Sequence, residues 1–266
     1  MDKLKVTSHI KDDDLKIKMY KLVDICNSVS NSYSLRNTEF LNPYEIRNAI
    51  SIINYDKDLE YTIEGGYEDA ERAVIFIYPD YYILEEGDLS LTYLEVRGNI
   101  KFTTVSHRDY LGSLMSLGIK REKIGDILVH DDYCQMVVDS DIADFIIYNY
   151  NRIKKNKVSV TEIDKSDLKP PIKSYDDKVF SISSLRLDSV IAGAFNLSRQ
   201  EASKLINADL VQVNYEPVNN VSKSIEEGSI ISVRKKGKLI FDKVLGMSKK
   251  DKFRVKINKF VWEVIT

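Results

Sequence analysis

Between Ser184 and Asn214 three cations, Arg186, Arg199 and Lys204, are set among apolar positions in the stretch SLRLDSVIAGAFNLSRQEASKLINADLVQVN. The stretch reads as two short helices and a strand, with Leu187, Val190, Ile191 and Ala194 on one stripe and Ala202, Leu205 and Ile206 on the next. Ser198 and Glu201 have capping-box spacing, so each satisfies a backbone N–H near the other. Arg199 then falls in the first helical turn, where a cation opposes the helix dipole and gains nothing locally. That placement points to an anion outside the chain, and phosphate is the commonest one. Lys235, Lys236 and Lys238 surround Gly237 in a tight turn. A lysine cluster alone is a solvated surface, but beside this module it becomes a candidate phosphate contact. Arg186 has an alternative role as ion-pair partner of Asp188 or Glu201.

Other clusters invite catalytic readings and do not support them. Ser106-His107-Arg108-Asp109 has a serine beside a histidine, but sequence neighbours do not present a nucleophile to its base. The pattern is a helix start, with Ser106 capping and Asp109 bonding back. His107 and Arg108 remain candidates for a secondary contact with RNA. Gly65-Gly66 is followed by Glu68 and Asp69, which argues against a phosphate loop. Cys26 and Cys134 lie far apart, and His9, His107 and His130 do not cluster with them. That excludes zinc spacing and a disulfide framework. No catalytic residue, metal or cofactor is expected, and no tyrosine between residues 33 and 93 is singled out for base stacking.

The elements that position these residues belong to a chain of 266 residues, enough for two or three domains. Hydrophobic content of 43% and charged content of 30% suit a soluble globular protein. No apolar run approaches membrane-spanning length and the start lacks a signal-peptide core, so a cytoplasmic monomer is expected. The net charge of −2 hides an asymmetry: residues 181–266 hold 15 Lys+Arg against 9 Asp+Glu, leaving 24 against 32 in residues 1–180. An acidic body with a basic tail suggests that only one end meets polyanion directly.

The fold class is expected to be α+β in four pieces. Residues 1–72 form an N-terminal helical subdomain, with one stripe over Leu15, Met19, Leu22, Val23 and Cys26 and another over Ile46, Ala49, Ile50 and Ile53. Residues 73–164 form an α/β sandwich similar to the RNA-recognition-motif (RRM) fold. Its strands are expected over Ala73–Tyr78, Leu91–Val96, Lys101–Val105, Asp126–Val129, Cys134–Val138 and Lys157–Ile163. Its helices are expected to start at Ser106, with Tyr110, Leu111, Leu114 and Met115 inward, and to span Ile142–Ile153. Residues 165–178 read as a proline-stiffened linker. Residues 179–266 form the last domain, its helices and hairpin followed by edge strands over Phe253–Ile257 and Phe260–Val264.

The stretch from Ser184 closely resembles the RNA-binding domain first described in small-subunit ribosomal protein S-four. The matching elements are Arg186-Leu187-Asp188, Ser198-Arg199, Leu205-Ile206 and Val211-Gln212-Val213-Asn214. Asp209 stands where that family usually has Gly between helix and strand; Asp tolerates the left-handed conformation better than most residues. Tyr215-Glu216-Pro217 replaces the usual Gly after Val-Asn. Two further blocks, Gly66–Arg72 and Thr103–Val129, resemble the signature of the YlmH family. Together with Ser184–Asp188 the resemblance covers nearly the whole chain.

What the resemblance implies is a non-enzymatic, RNA-binding role in bacterial ribosome-associated quality control. Such proteins bind rRNA and tRNA on large ribosomal subunits that still carry peptidyl-tRNA. They support C-terminal alanine tailing, which makes the tailing factor a further partner. The matching positions make Arg186, Arg199, Lys204 and Ser198 the expected RNA contacts. Two alternatives stay open. One is an RNA-modifying enzyme of the pseudouridine synthase type, where Arg-Leu-Asp carries the nucleophile. Here Asp188 lies inside the S-four pattern, and no synthase-sized segment remains. The other is a cell-division adaptor whose acidic body binds protein, with RNA secondary.

Overall fold

The computed structural model describes residues 1–98, 105–170, 174–248 and 251–261. The chain divides into two compact units at Pro171/Ile172.

The first unit opens with α1 (Lys3–Val6) and α2 (Asp13–Ser32), whose Asp12 side chain accepts from the Leu15 N–H. Met19, Val23, Cys26 and Val29 are fully buried at helical spacing. Burial of one such side chain stabilises by about 1.5–3 kcal/mol, so this stripe holds α2 down. After β1 (Arg36–Asn37), a complete capping box between Asn42 and Glu45 starts α3 (Pro43–Ile53). β2 (Leu59–Glu64) and β3 (Val74–Pro79) complete a three-stranded antiparallel sheet in the order β1-β3-β2. The strand expected to open the middle domain therefore pairs with the N-terminal elements instead. The reason is that β3 is apolar on both faces. Ile75 and Ile77 join the α2/α3 core, while Val74 and Phe76 meet Phe40, Leu91 and Val137. A run buried on both sides carries no alternation that names its partners.

The middle elements are β4 (Leu91–Gly98), α4 (His107–Ser116), β5 (Ile124–Val129), β6 (Tyr133–Asp139), α5 (Ala143–Asn149), β7 (Arg152–Ile153) and β8 (Asn156–Ile163). They form an antiparallel sheet in the order β5-β6-β4-β8-β7. Leu94, Val96, Met136, Val138 and Val160 pack on one face against Tyr110 and Leu114 of α4 and Ile146 of α5. Ser106 and Asp109 make the expected capping box, and Gly118 leaves α4 with φ +85°. Met115 is half exposed, so the inward stripe of α4 is narrower than expected. The helix expected over Ile142–Ile153 stops at Asn149, because Tyr150 caps it and Ile153 enters β7. The strand expected over Lys101–Val105 lies, apart from Val105, outside the described residues.

The second unit begins within the expected linker. Its described C-terminal residues, from Ser174, already belong to β9 (Ser174–Ile182). Then follow α6 (Leu187–Phe195), α7 (Arg199–Asn207), β10 (Val211–Val213), β11 (Glu216–Pro217), β12 (Ile230–Val233), β13 (Gly237–Met247) and β14 (Phe253–Val261). The antiparallel sheet runs β11-β10-β12-β13-β14-β9. Within the described residues, the two edge strands expected near the C-terminus are one strand, β14, and it is interior, paired with β13 and β9; residues 262–264 of the second lie outside the described residues. Its paired register through Lys259 and Phe260 joins the two expected segments. Asp209 takes φ 54°, and Asn214 and Tyr215 take φ 51° and 68°. Two successive positive φ values fit the two-residue hairpin between β10 and β11, where Tyr215 occupies the conformation usually left to Gly.

Candidate nucleic-acid interface

In the second unit, α6 and α7 pack on the sheet through Leu187, Val190, Ile191, Ala194, Ala202 and Ile206. Gly193 faces Phe180 of β9 so closely that a Cβ there would lie 2.2 Å from the ring. Asn196, with φ 53°, ends α6 and turns the chain into Ser198, the N-cap of α7. Arg186 at the start of α6 and Arg199 at the start of α7 are thereby brought together.

Both arginines converge on one carboxylate. Arg186 donates Nε and Nη2 to Asp188 at 3.1 and 3.4 Å, and Arg199 donates Nε and Nη2 to Asp188 at 3.2 and 2.8 Å. Asp188 is 3% exposed, whereas the side chains of Arg186 and Arg199 are 43% and 52% exposed. Burial pushes the Asp188 carboxyl up, but the two guanidiniums outweigh burial and hold it below the usual range. The arrangement leaves one net positive charge and outward N–H groups on two oriented forks. Guanidinium forks suit phosphate oxygens in geometry as well as charge. Asp188 does not cap α6; the N-cap position is Arg186 itself, and it makes no side-chain cap bond.

Ser198 has an internal task. Its hydroxyl donates to Glu201 at 2.8 Å and accepts from the Glu201 N–H at 3.2 Å. Lys204 lies five positions after Arg199, which turns them about 140° apart around α7. Lys204 instead shares a shallow groove of about 280 Å³ with Leu197, Glu201, Leu205 and Lys236. Lys235 and Lys236 are exposed on the β12–β13 turn. Lys238 corrects the sequence reading. It is 7% exposed, its ammonium donates to the Tyr215 hydroxyl at 3.0 Å, and it lies over the Tyr215 and Phe260 rings. Alternation along β13 points Leu239 and Phe241 into the core and Lys238 to the opposite face of the sheet, where Tyr215 and Phe260 cover it, so it is not offered at the surface as Lys235 and Lys236 are.

In the first unit, Arg108 is exposed and His107 half-buried. Burial, then the nearby charge of Arg121, hold the His107 imidazole below its ordinary range. Beside it is an arrangement that sequence reasoning missed. Asp126 accepts from the Tyr67 hydroxyl at 2.7 Å and from the N–H groups of Glu71 and Arg72 at 2.7 and 3.2 Å. Arg72 donates onward to the carbonyls of Ile124 and Phe40 at 3.1 and 2.7 Å. Arg121 donates to the carbonyls of Ile124 and Gly125. Burial, then Arg72, push Arg121 down to about 10, so it stays charged at neutral pH. The two N-terminal signature blocks thus close on each other around Asp126. The available signal was their density of charged residues, which gives no pairing by itself.

Among the described residues there is no group of His, Cys, Asp and Glu side chains fit to hold a metal ion, and no helix long and apolar enough to cross a membrane.

Comparison with known proteins agrees with this layout. The family model described as "YlmH, N-terminal" matches residues 16–82, "Putative RNA-binding domain in YlmH" matches residues 85–167, and the S4 domain matches residues 185–231. A relative from Bacillus subtilis (strain 168), "Ribosome-associated protein quality control protein P2", is 37% identical over 227 residues, 85% of this chain and 88% of the relative. The solved structure of "Cell division protein ylmH from Streptococcus pneumoniae" superposes with a TM-score of 0.51 at 26% identity, over 61% of this chain and 96% of that one. Fold and basic surface define an S4-domain protein with a two-part N-terminal body. The chain belongs to the YlmH family.

Proposed function

We propose that this chain is an RNA-binding, non-catalytic factor of ribosome-associated quality control. It contacts rRNA and tRNA on large ribosomal subunits obstructed by peptidyl-tRNA, and it supports C-terminal alanine tailing of the trapped chain. The observation that carries the reading is the pair of half-exposed guanidiniums, Arg186 and Arg199, oriented by the buried Asp188 within the S4 domain. The name of the Bacillus subtilis relative supports the setting. Asp188 is poorly suited to be a nucleophile, since it is buried and receives N–H donors on both oxygens. The middle part is of the RRM type in this reading. Its β-α-β-β-α-β order, once the two-residue β7 is set aside, with both helices on one face, supports that.

The test is co-sedimentation of the full chain with large subunits over a salt series. Each phosphate contact adds roughly 0.7–0.9 to the slope of log affinity against log salt. Arg186→Ala with Arg199→Ala is expected to lower the slope by about two such steps and to abolish pelleting, with the circular dichroism unchanged. Full pelleting of the folded double variant refutes the assigned surface.

A further inference from the structure

The face of the middle sheet opposite α4 and α5 is largely closed. Val137 is fully buried beneath Phe40, Val74 and Phe76. Gln135 is 1% exposed and is tied to the Asp167 carbonyl and the Lys169 N–H. One row at the end of this face stays open. Arg97 of β4 is directly opposite Tyr133 of β6 and directly opposite Ser159 of β8. His130 continues the row on the β5 side, its N–H donating to the Tyr133 carbonyl.

Three planar groups fill this row in sequence. The rings of His130 and Tyr133 stack at 4.3 Å with an interplanar angle of 13°. The Arg97 guanidinium lies over the Tyr133 ring, 4.7 Å from its centroid. Glu95 fixes the guanidinium through Nε at 2.5 Å, and Glu95 in turn accepts from Gln135 at 3.2 Å. The strand order places β8 beyond Arg97, and among the described residues the row there meets only exposed Ser159. Among the described residues, a small residue at that position leaves the outer face of a half-exposed guanidinium uncovered.

Charge along this edge departs from that of the acidic body. Residues 152–161 contain Arg152, Lys154, Lys155 and Lys157 and no acidic residue. Lys154 pairs with Asp109, while Lys157 is exposed on the same face as Ser159. Asp131 and Asp132 belong to the turn at the other, His130 end of the row. His130 also carries the one buried side-chain polar atom without a partner among the described residues, Nε2.

We propose that the row His130–Tyr133–Arg97 is a stacking platform for one base of single-stranded RNA, seated on the outer face of Arg97 above Ser159, with Lys157 taking a neighbouring phosphate. Guanidinium planes and aromatic rings are what unpaired bases stack on, and a base on the free end extends the stack. This contact is separate from the Arg186/Arg199 surface and does not rest on it.

The test uses the full chain, a short oligoadenylate and an abasic ribose-phosphate strand of equal length, followed by fluorescence anisotropy. The wild-type chain is expected to prefer the strand with bases by roughly 5- to 150-fold per stacked base. Arg97→Lys keeps the charge and removes the plane, and Ser159→Tyr covers the open face with Arg97 intact. Both are expected to erase that preference and leave the salt slope unchanged. Arg186→Ala with Arg199→Ala is expected to do the reverse, lowering the slope and keeping the preference. Equal binding of both strands by the wild-type chain overturns the proposal. So does an undiminished preference in either the Arg97 or the Ser159 variant.

Discussion

Asp188→Asn separates charge from geometry at the S4-domain surface. The substitution keeps the size of the side chain and one acceptor oxygen but removes the negative charge that holds Arg186 and Arg199. Four N–H···O contacts between 2.8 and 3.4 Å depend on it. A hydrogen bond to a charged group stabilises by about 1.5–3 kcal/mol, and half-exposed partners argue for the low end, so each arginine pair is taken at about 1.5 kcal/mol. The remaining amide oxygen restores about half, leaving a loss of about 1.5 kcal/mol. For a unit the size of Ile172–Glu263 that lowers Tm by about 6–12 °C. The sign with pH follows from the depressed Asp188 carboxyl. Its contribution is present above the unfolded value near 3.9 and is lost as pH falls through the lower folded value. Wild type and variant are therefore expected to differ at pH 7 and to converge as pH falls through the lower folded value. RNA binding carries the sharper test. The variant surface has one more net positive charge, yet its guanidiniums are no longer oriented. Affinity for large subunits at moderate salt is expected to fall about tenfold, the equivalent of 1.4 kcal/mol. Tighter binding by Asp188→Asn across the salt series refutes the reasoning, because the arginines then act as charge alone.

Three further outcomes follow from the two units taken separately. Lys238→Met is expected to leave the salt slope of RNA binding unchanged while altering stability. Lys236→Ala is expected to lower the slope by roughly 0.7–0.9 with Tm unchanged, and paired thermal melts and salt titrations separate the two. His107 has a folded value below its ordinary 6.5, so the unfolded chain takes its proton first and stability of the first unit falls with acidification below about pH 6.5. His107→Gln is expected to flatten that dependence in denaturant melts between pH 5 and 7; an unchanged profile shows that the imidazole is not responsible.

Local chemistry was legible where it acts over three or four residues. The capping boxes at Ser106/Asp109 and Ser198/Glu201 formed as spaced, and the helical stripes of α2 and α6 are buried as read. The left-handed turn at Asp209 survives without Gly. Partner choice was less legible. β3 offered a strand but no neighbour, since both of its faces are apolar. The sequence reads as two edge strands over Phe253–Ile257 and Phe260–Val264, although one register carries Phe253–Val261 through the sheet interior. Adjacency groups Lys238 with Lys235 and Lys236, and only the cover of Tyr215 and Phe260 sets it apart.

The candidate site divides the same way. From the sequence alone came the residue types, the order of the signature blocks, and the placement of Arg199 against a helix dipole, because dipoles, caps and periodicity are local properties of the chain. Only the tertiary structure decided that Arg186 and Arg199 share Asp188, that Asp126 closes Tyr67, Glu71 and Arg72 onto β5, and that Arg97, Tyr133 and His130 form one row. Those contacts join residues up to 59 positions apart. Distances of that kind depend on strand order and helix packing, which the buried apolar surface of the whole unit selects and no short window of sequence contains.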